Sequence, residues 1–194
     1  MTLHNALFFA LLLTCATGAN AHEAAGLAGG FTSGFMHPLL GWDHVAAMVA
    51  VGLWGAVLGQ PAIWLLPIVF PLVMAFGGAL GVIGIPLPSV EVGIALSALV
   101  LGCMVFFAAR PPLWAAATIV GLFAVFHGHA HGTELPAAAS PLAFSVGFVL
   151  ATGLLHLCGI LISLLSRWPA GRAVVRGGGA VIALAGAMFL LRAF

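Results

Sequence analysis

The sequence predicts an all-α membrane protein, a bundle of six transmembrane helices behind a cleavable signal peptide. Three observations predict it. Of 194 residues, 63% are hydrophobic and only 5% are charged, with neither Lys nor Tyr; so few charges cannot cover the surface of a soluble domain. Apolar runs of about twenty residues, the length that crosses a hydrocarbon core, recur along the chain. Helix breakers punctuate these runs, at Pro61, Pro86, Pro88, Pro111, Pro112, Pro136, Pro141 and Pro169. There is no basic patch to neutralise phosphates, which excludes a nucleic-acid partner. The partners that composition does imply are lipids.

Residues 6–13 are apolar but too short to span, and the small-residue sequence Ala19-Asn20-Ala21 follows. Together they predict a secretory signal peptide, residues 1–21, cut after Ala21, although its first residues carry no Lys or Arg. The alternative is a lipoprotein cut before Cys15. A cut after Ala21 leaves a mature chain, 22–194, that begins His22-Glu23 outside the cytoplasm. A terminal amine with its own imidazole can chelate a divalent metal, which makes His22 a candidate ligand. Cys103 and Cys158 fall inside apolar runs and read as small packing residues, not as a disulfide framework.

Residues 26–36 are rich in glycine and carry Phe31, Phe35 and Met36, which predicts an interfacial or re-entrant segment. Pro38 suits the first turn of the next helix. The six spans follow at 38–59, 62–84, 89–109, 113–131, 141–165 and 173–192, with Pro67 and Pro71 bending the second. With the mature N-terminus outside, Arg110, Arg167, Arg172 and Arg176 fall on the cytoplasmic side and only Arg192 falls outside. That bias satisfies the positive-inside rule and supports an even number of spans. The abundant glycines, such as Gly77, Gly78, Gly81 and Gly84, read as close helix packing; no phosphate-binding Gly-Lys-Ser/Thr ending accompanies them.

Two polar clusters interrupt this apolar chain. The first is His37-Pro38-Leu39-Leu40-Gly41-Trp42-Asp43-His44, followed by Met48. A charge at mid-bilayer costs about 2.5–3.5 kcal/mol on insertion scales, so Asp43 needs a partner. On one continuous helix, His37, Gly41, His44 and Met48 would share a face, with Asp43 at its border. The second cluster, Phe126-His127-Gly128-His129-Ala130-His131-Gly132-Thr133-Glu134, ends the fourth span. Helical spacing places His127, His131 and Glu134 on one face and turns His129 away. Topology puts both clusters, and Glu91 at the start of span three, at one level near the outer face. His156, with Thr152 on its face, lies deeper in span five and would continue a path inward.

Imidazole, carboxylate and thioether without thiolate suit a borderline divalent ion held loosely enough to be released. Neutral His replaces hydration without adding fixed charge, while Asp43 or Glu134 offsets the charge of the ion. Protons compete with metal for His, so uptake through these ligands is expected to fall below about pH 6; flat uptake between about pH 5 and 7.5 would count against His as the limiting ligand.

The paired motifs resemble those of the HupE/UreJ family, membrane proteins that accompany hydrogenase and urease genes. Its marks are His-Pro-x-x-Gly-x-Asp-His in the first span and Phe-His-Gly-x-Ala-His-Gly-x-Glu in the fourth, and both stand here at 37–44 and 126–134. The resemblance covers essentially the whole chain. It implies a nickel permease of the bacterial inner membrane, with Co²⁺ as the alternative cargo, and no prosthetic group. It also implies that His37, Asp43, His44, His127, His131 and Glu134 are the functional residues. The first motif is also similar to the His-x-x-x-x-Asp-His of the larger nickel/cobalt transporter family, although here five residues separate His37 from Asp43. No ATP-binding motif is present, so a gradient, a partner or trapping of the metal inside must supply the energy. The competing readings are a Zn-dependent intramembrane hydrolase, for which His-Glu-x-x-His is missing, and a haem-carrying electron-transfer subunit, for which Cys-x-x-Cys-His is missing.

Overall fold

The computed structural model describes residues 27–134 and 140–194, and every described element is helical. The expected signal peptide and His22 lie outside the described residues. In chain order the helices are α1 (Leu27–Leu40), α2 (Trp42–Leu58), α3 (Ala62–Val82), α4 (Val90–Phe106), α5 (Leu113–Thr133), α6 (Pro141–Ser163) and α7 (Pro169–Arg192), with a 3-10 turn at Leu164–Arg167. Among the described residues, α3, α5, α7 and α6 with its 3-10 turn are each long and apolar enough to cross a membrane alone. The pair α1 and α2 passes only together, bent by 81°, as a broken span or a re-entrant loop of the kind expected before Pro38, and α4 is apolar but shorter, at 17 residues.

The first expected span is therefore corrected. Residues 27–40 form a helix despite their glycines, because those glycines face α6: Gly34 lies against the Phe144 backbone and Gly147 against that of Phe31. Close approach to a neighbour supplies the packing that helix propensity lacks. Pro38 sits inside α1, not in the first turn of the following helix. The chain then breaks at Gly41, whose backbone is extended (φ −91°, ψ 109°), and α2 starts anew. His37 and His44 consequently stand on two helices, not on one continuous face. The last helix also begins earlier than 173, at Pro169, which occupies the first-turn position that tolerates a missing N–H.

Helix α2 is the hub. It contacts α3, α4, α6 and α7, and from Ala47 to Gly55 nearly every residue is buried. A helix apolar on all sides belongs in the centre of a bundle. Its Trp54 Nε1–H donates to the Ala109 carbonyl (2.9 Å), which ties the centre to the α4–α5 connection. Arg176 of α7 donates to the Phe106 carbonyl (2.7 Å), placing a cation at the C-terminal end of α4, where the helix dipole favours it. On α3, Leu66, Phe70 and Met74 face inward while Trp64, Ile68, Leu72 and Phe76 form an exposed apolar stripe. Such a stripe on a long apolar helix is the lipid-facing side of a multi-pass membrane protein.

Backbone contact between α3 and α5 sets the rotation of the helix that carries the second motif. Gly128 lies directly against the Met74 carbonyl, and Gly132 against that of Gly78. Gly128→Val must therefore push the helices apart. Its expected cost is at the upper end of the about 1–3 kcal/mol of an overpacked core, read as a lower Tm of the purified protein in detergent.

Candidate metal centre

The helix break brings the two motifs together. The His44 ring lies 5.0 Å from His127 and 4.6 Å from His131, centroid to centroid, and His37 lies 4.8 Å from His131. Four imidazoles from α1, α2 and α5 thus form one cluster, with His131 touching two of the other three. The walls are aromatic: Phe148 packs on His131 (4.3 Å), and Phe144 and Phe148 flank His37 (5.8 and 6.2 Å). Rings in direct contact leave no slot for a flat macrocycle between opposed axial ligands, so the cluster does not fit a haem.

Gly41 shapes the first half. The side chains of Asp43 and His44 fold back over it, so a Cβ there would meet His44 Nδ1 at 2.9 Å and Asp43 Oδ1 at 3.0 Å. Asp43 occupies the first turn of α2, where backbone N–H groups favour an anion. Its Oδ1 accepts from the His44 backbone N–H (2.8 Å) and from His44 Nδ1 (2.7 Å). A carboxylate can only accept, so Nδ1 carries the proton. His44 Nε2 is then left with a lone pair, buried and without a hydrogen-bond partner among the described residues. This is the arrangement in which a carboxylate orients a metal-binding imidazole from behind. Gly41→Ala is expected to displace one of these two side chains and to cut metal affinity about tenfold, measurable by titration calorimetry.

His127 has the same logic with a different partner. Its Nδ1 faces the Phe123 carbonyl at 3.0 Å, one turn back along α5, and a carbonyl can only accept. Its Nε2 is again the free, buried lone pair. His131 makes no hydrogen bond through either nitrogen among the described residues and borders a cavity of about 360 Å³ between α3, α5 and α6. Glu134 caps α5, and its Oε2 lies 3.4 Å from His37 Nε2. Ligand atoms of His37, His131 and Glu134 all fall within 4.8 Å of one another. Exposure falls along the series, from 56% at Glu134 and 32% at His37 to 6% at His131 and none at His127. The cluster is a file that leads from the surface into the bundle.

The remaining expected residues take other places. Glu91, in the first turn of α4, shares a second cavity with Asp43 and Arg192. Met48, one turn beyond His44, is fully buried in the apolar core. His129 does not join the cluster: its Nε2–H donates to the Ile85 carbonyl (2.7 Å) and ties the α3–α4 connection to α5. That orientation agrees with its helical phase, which points it away from His127 and His131. His156 is buried on α6, 5.4 Å from the Phe70 ring, whose other neighbour is His127 at 5.5 Å. Phe70 was invisible to sequence reasoning as a site residue, because an apolar residue in an apolar span carries no signal until its neighbours are known.

No solved structure is significantly similar to the chain. Among curated proteins, Protein HupE of Rhizobium leguminosarum bv. viciae is 46% identical over 172 residues, which cover 88% of this chain and 90% of that protein. The sequence pattern of the family described as HupE / UreJ protein matches residues 10–189. With both motifs inside that match and meeting in one cluster, the chain belongs to the HupE/UreJ family.

Proposed function

We propose that the protein is a secondary permease that imports a divalent transition metal, Ni²⁺ with Co²⁺ as the alternative, across the bacterial inner membrane. In this reading residues 1–21 are a signal peptide, the mature N-terminus is periplasmic, and the histidine cluster opens to the periplasm. The observation that carries the reading is the set of free, buried imidazole nitrogens on His44, His127 and His131, with Glu134 and His37 at the exposed end. The cation is captured between Glu134, His37 and His131 and handed to His131, His44 and His127 as water is stripped. Asp43 orients His44 and offsets the charge of the ion, and Glu91 adds negative charge at the mouth of the neighbouring cavity.

Neutral nitrogen ligands suit nickel and cobalt, and the lack of a thiolate favours release over storage. Conduction needs binding strong enough to admit the ion and weak enough to let it go. The test is uptake of radiolabelled Ni²⁺, with Co²⁺ and Zn²⁺ as competitors, into proteoliposomes holding the purified chain. His127→Ala is expected to reduce Ni²⁺ uptake at least about tenfold. Full uptake by that variant would remove the cluster from the pathway.

A further inference from the structure

We propose that Thr152, His156 and Ser163 form an inner file of cargo ligands on α6, which receives the cation from the histidine cluster past the Phe70 ring. The inference rests on the reading of the cluster as a cation site. The three residues recur at helical spacing on one face of α6, and eleven residues of helix cover about 16 Å, half of a hydrocarbon core. All three are shielded from solvent, at 0%, 1% and 2% exposure. Thr152 Oγ1, both nitrogens of His156 and Ser163 Oγ have no hydrogen-bond partner among the described residues.

That lack separates them from three hydroxyls on other helices of the bundle. Ser97, Thr118 and Thr133 each donate to a carbonyl three or four residues back on their own helix, the usual way a helix absorbs a hydroxyl in an apolar setting. Leaving a buried polar group unsatisfied costs about 1–3 kcal/mol. Four such atoms in a line on one helix are an expense that packing does not explain and ligation does.

The surroundings fit that use. Phe70 touches both His127 and His156, so one aromatic ring links the two stations. The Pro67 carbonyl lies beside the His156 ring as a marginal hydrogen-bond acceptor. Pro71 has no N–H with which to make the usual helical bond to that carbonyl, which leaves it available as an oxygen ligand. Between His156 and Ser163, Gly159 lies against the Val49 backbone and Gly52 against that of His156, which locks α6 to the central helix. Imidazole, hydroxyl and carbonyl are all neutral. A station without a carboxylate holds a divalent ion less firmly than the cluster above it, and so passes it on.

The test compares equilibrium Ni²⁺ binding by the purified full chain in detergent with Ni²⁺ uptake into proteoliposomes, for wild type, His156→Gln and Ser163→Ala. The expected result is that the tightest Ni²⁺ site, the cluster, keeps its affinity in both variants, while a weaker second site is lost in His156→Gln, with uptake about tenfold lower in His156→Gln and a smaller loss in Ser163→Ala. Unchanged uptake in both variants overturns the inner file. Loss of the tightest site together with uptake in His156→Gln also overturns it, since His156 would then belong to the fold of the cluster. A wild-type chain that neither binds nor transports Ni²⁺ would sink the permease reading itself, a failure distinguishable from either of these.

Discussion

His131→Ala is expected to reduce Ni²⁺ uptake by about a hundredfold, whereas His129→Ala, two residues away, leaves uptake near wild type. The contrast comes from helical phase. His131 contacts both His37 and His44 and is the ring shared by the exposed and the buried halves of the cluster. Removing it opens a gap in the file that neither neighbour spans. Its two nitrogens make no hydrogen bond among the described residues, so truncation removes a ligand without breaking any structural bond seen there. His129 is the reverse case: its Nε2–H holds the Ile85 carbonyl, and its loss costs about 1–3 kcal/mol of stability. Uptake into proteoliposomes, normalised to monodisperse protein, and Tm in detergent measure the two effects separately. Equal losses of uptake in the two variants would refute the assignment of His131 as the shared ligand.

Asp43→Asn is expected to lower Ni²⁺ affinity by about ten- to a hundredfold while leaving the fold intact. The carboxylate accepts two hydrogen bonds from His44 and so fixes its proton on Nδ1. An amide of the same shape can instead donate its N–H to Nδ1. The proton then moves to Nε2, the atom that faces the cluster, and the lone pair needed for ligation is gone. Asp43→Asn also removes the negative charge beside Glu91 and Arg192 in the neighbouring cavity. Titration calorimetry reports affinity, and an unaltered elution profile and Tm report the fold. Affinity equal to wild type would show that Asp43 does not set the tautomer of His44.

Much of the helical frame was legible because each feature is local. Four of the expected spans, 62–84, 89–109, 113–131 and 141–165, agree with α3 to α6 to within a few residues, since Pro and Gly at the joins act on the adjacent backbone alone. The shared phase of His127 and His131 and the turning of His129 away from them followed from the helical repeat. The first span misled for a physical reason. Apolar continuity from 38 to 59 carries no mark of a bend, and Gly41 is tolerated within a helix at modest cost. The break is decided by α1 packing against α6 while α2 packs in the centre of the bundle. Ser163 and Phe70 were equally silent, one a common hydroxyl and the other a common apolar residue.

By itself the sequence determined an all-helical membrane protein with two polar motifs too costly to be incidental in an apolar chain. That much needs only composition, segment length and the helical repeat. Tertiary structure alone decided that His37 and His44 reach one cluster from two helices, and which nitrogen of His44 and of His127 stays free. It also decided that Phe70 contacts both that cluster and His156. Each of these depends on which neighbour meets a side chain across a helix contact, and such contacts join residues far apart in the chain, where spacing along it carries no information.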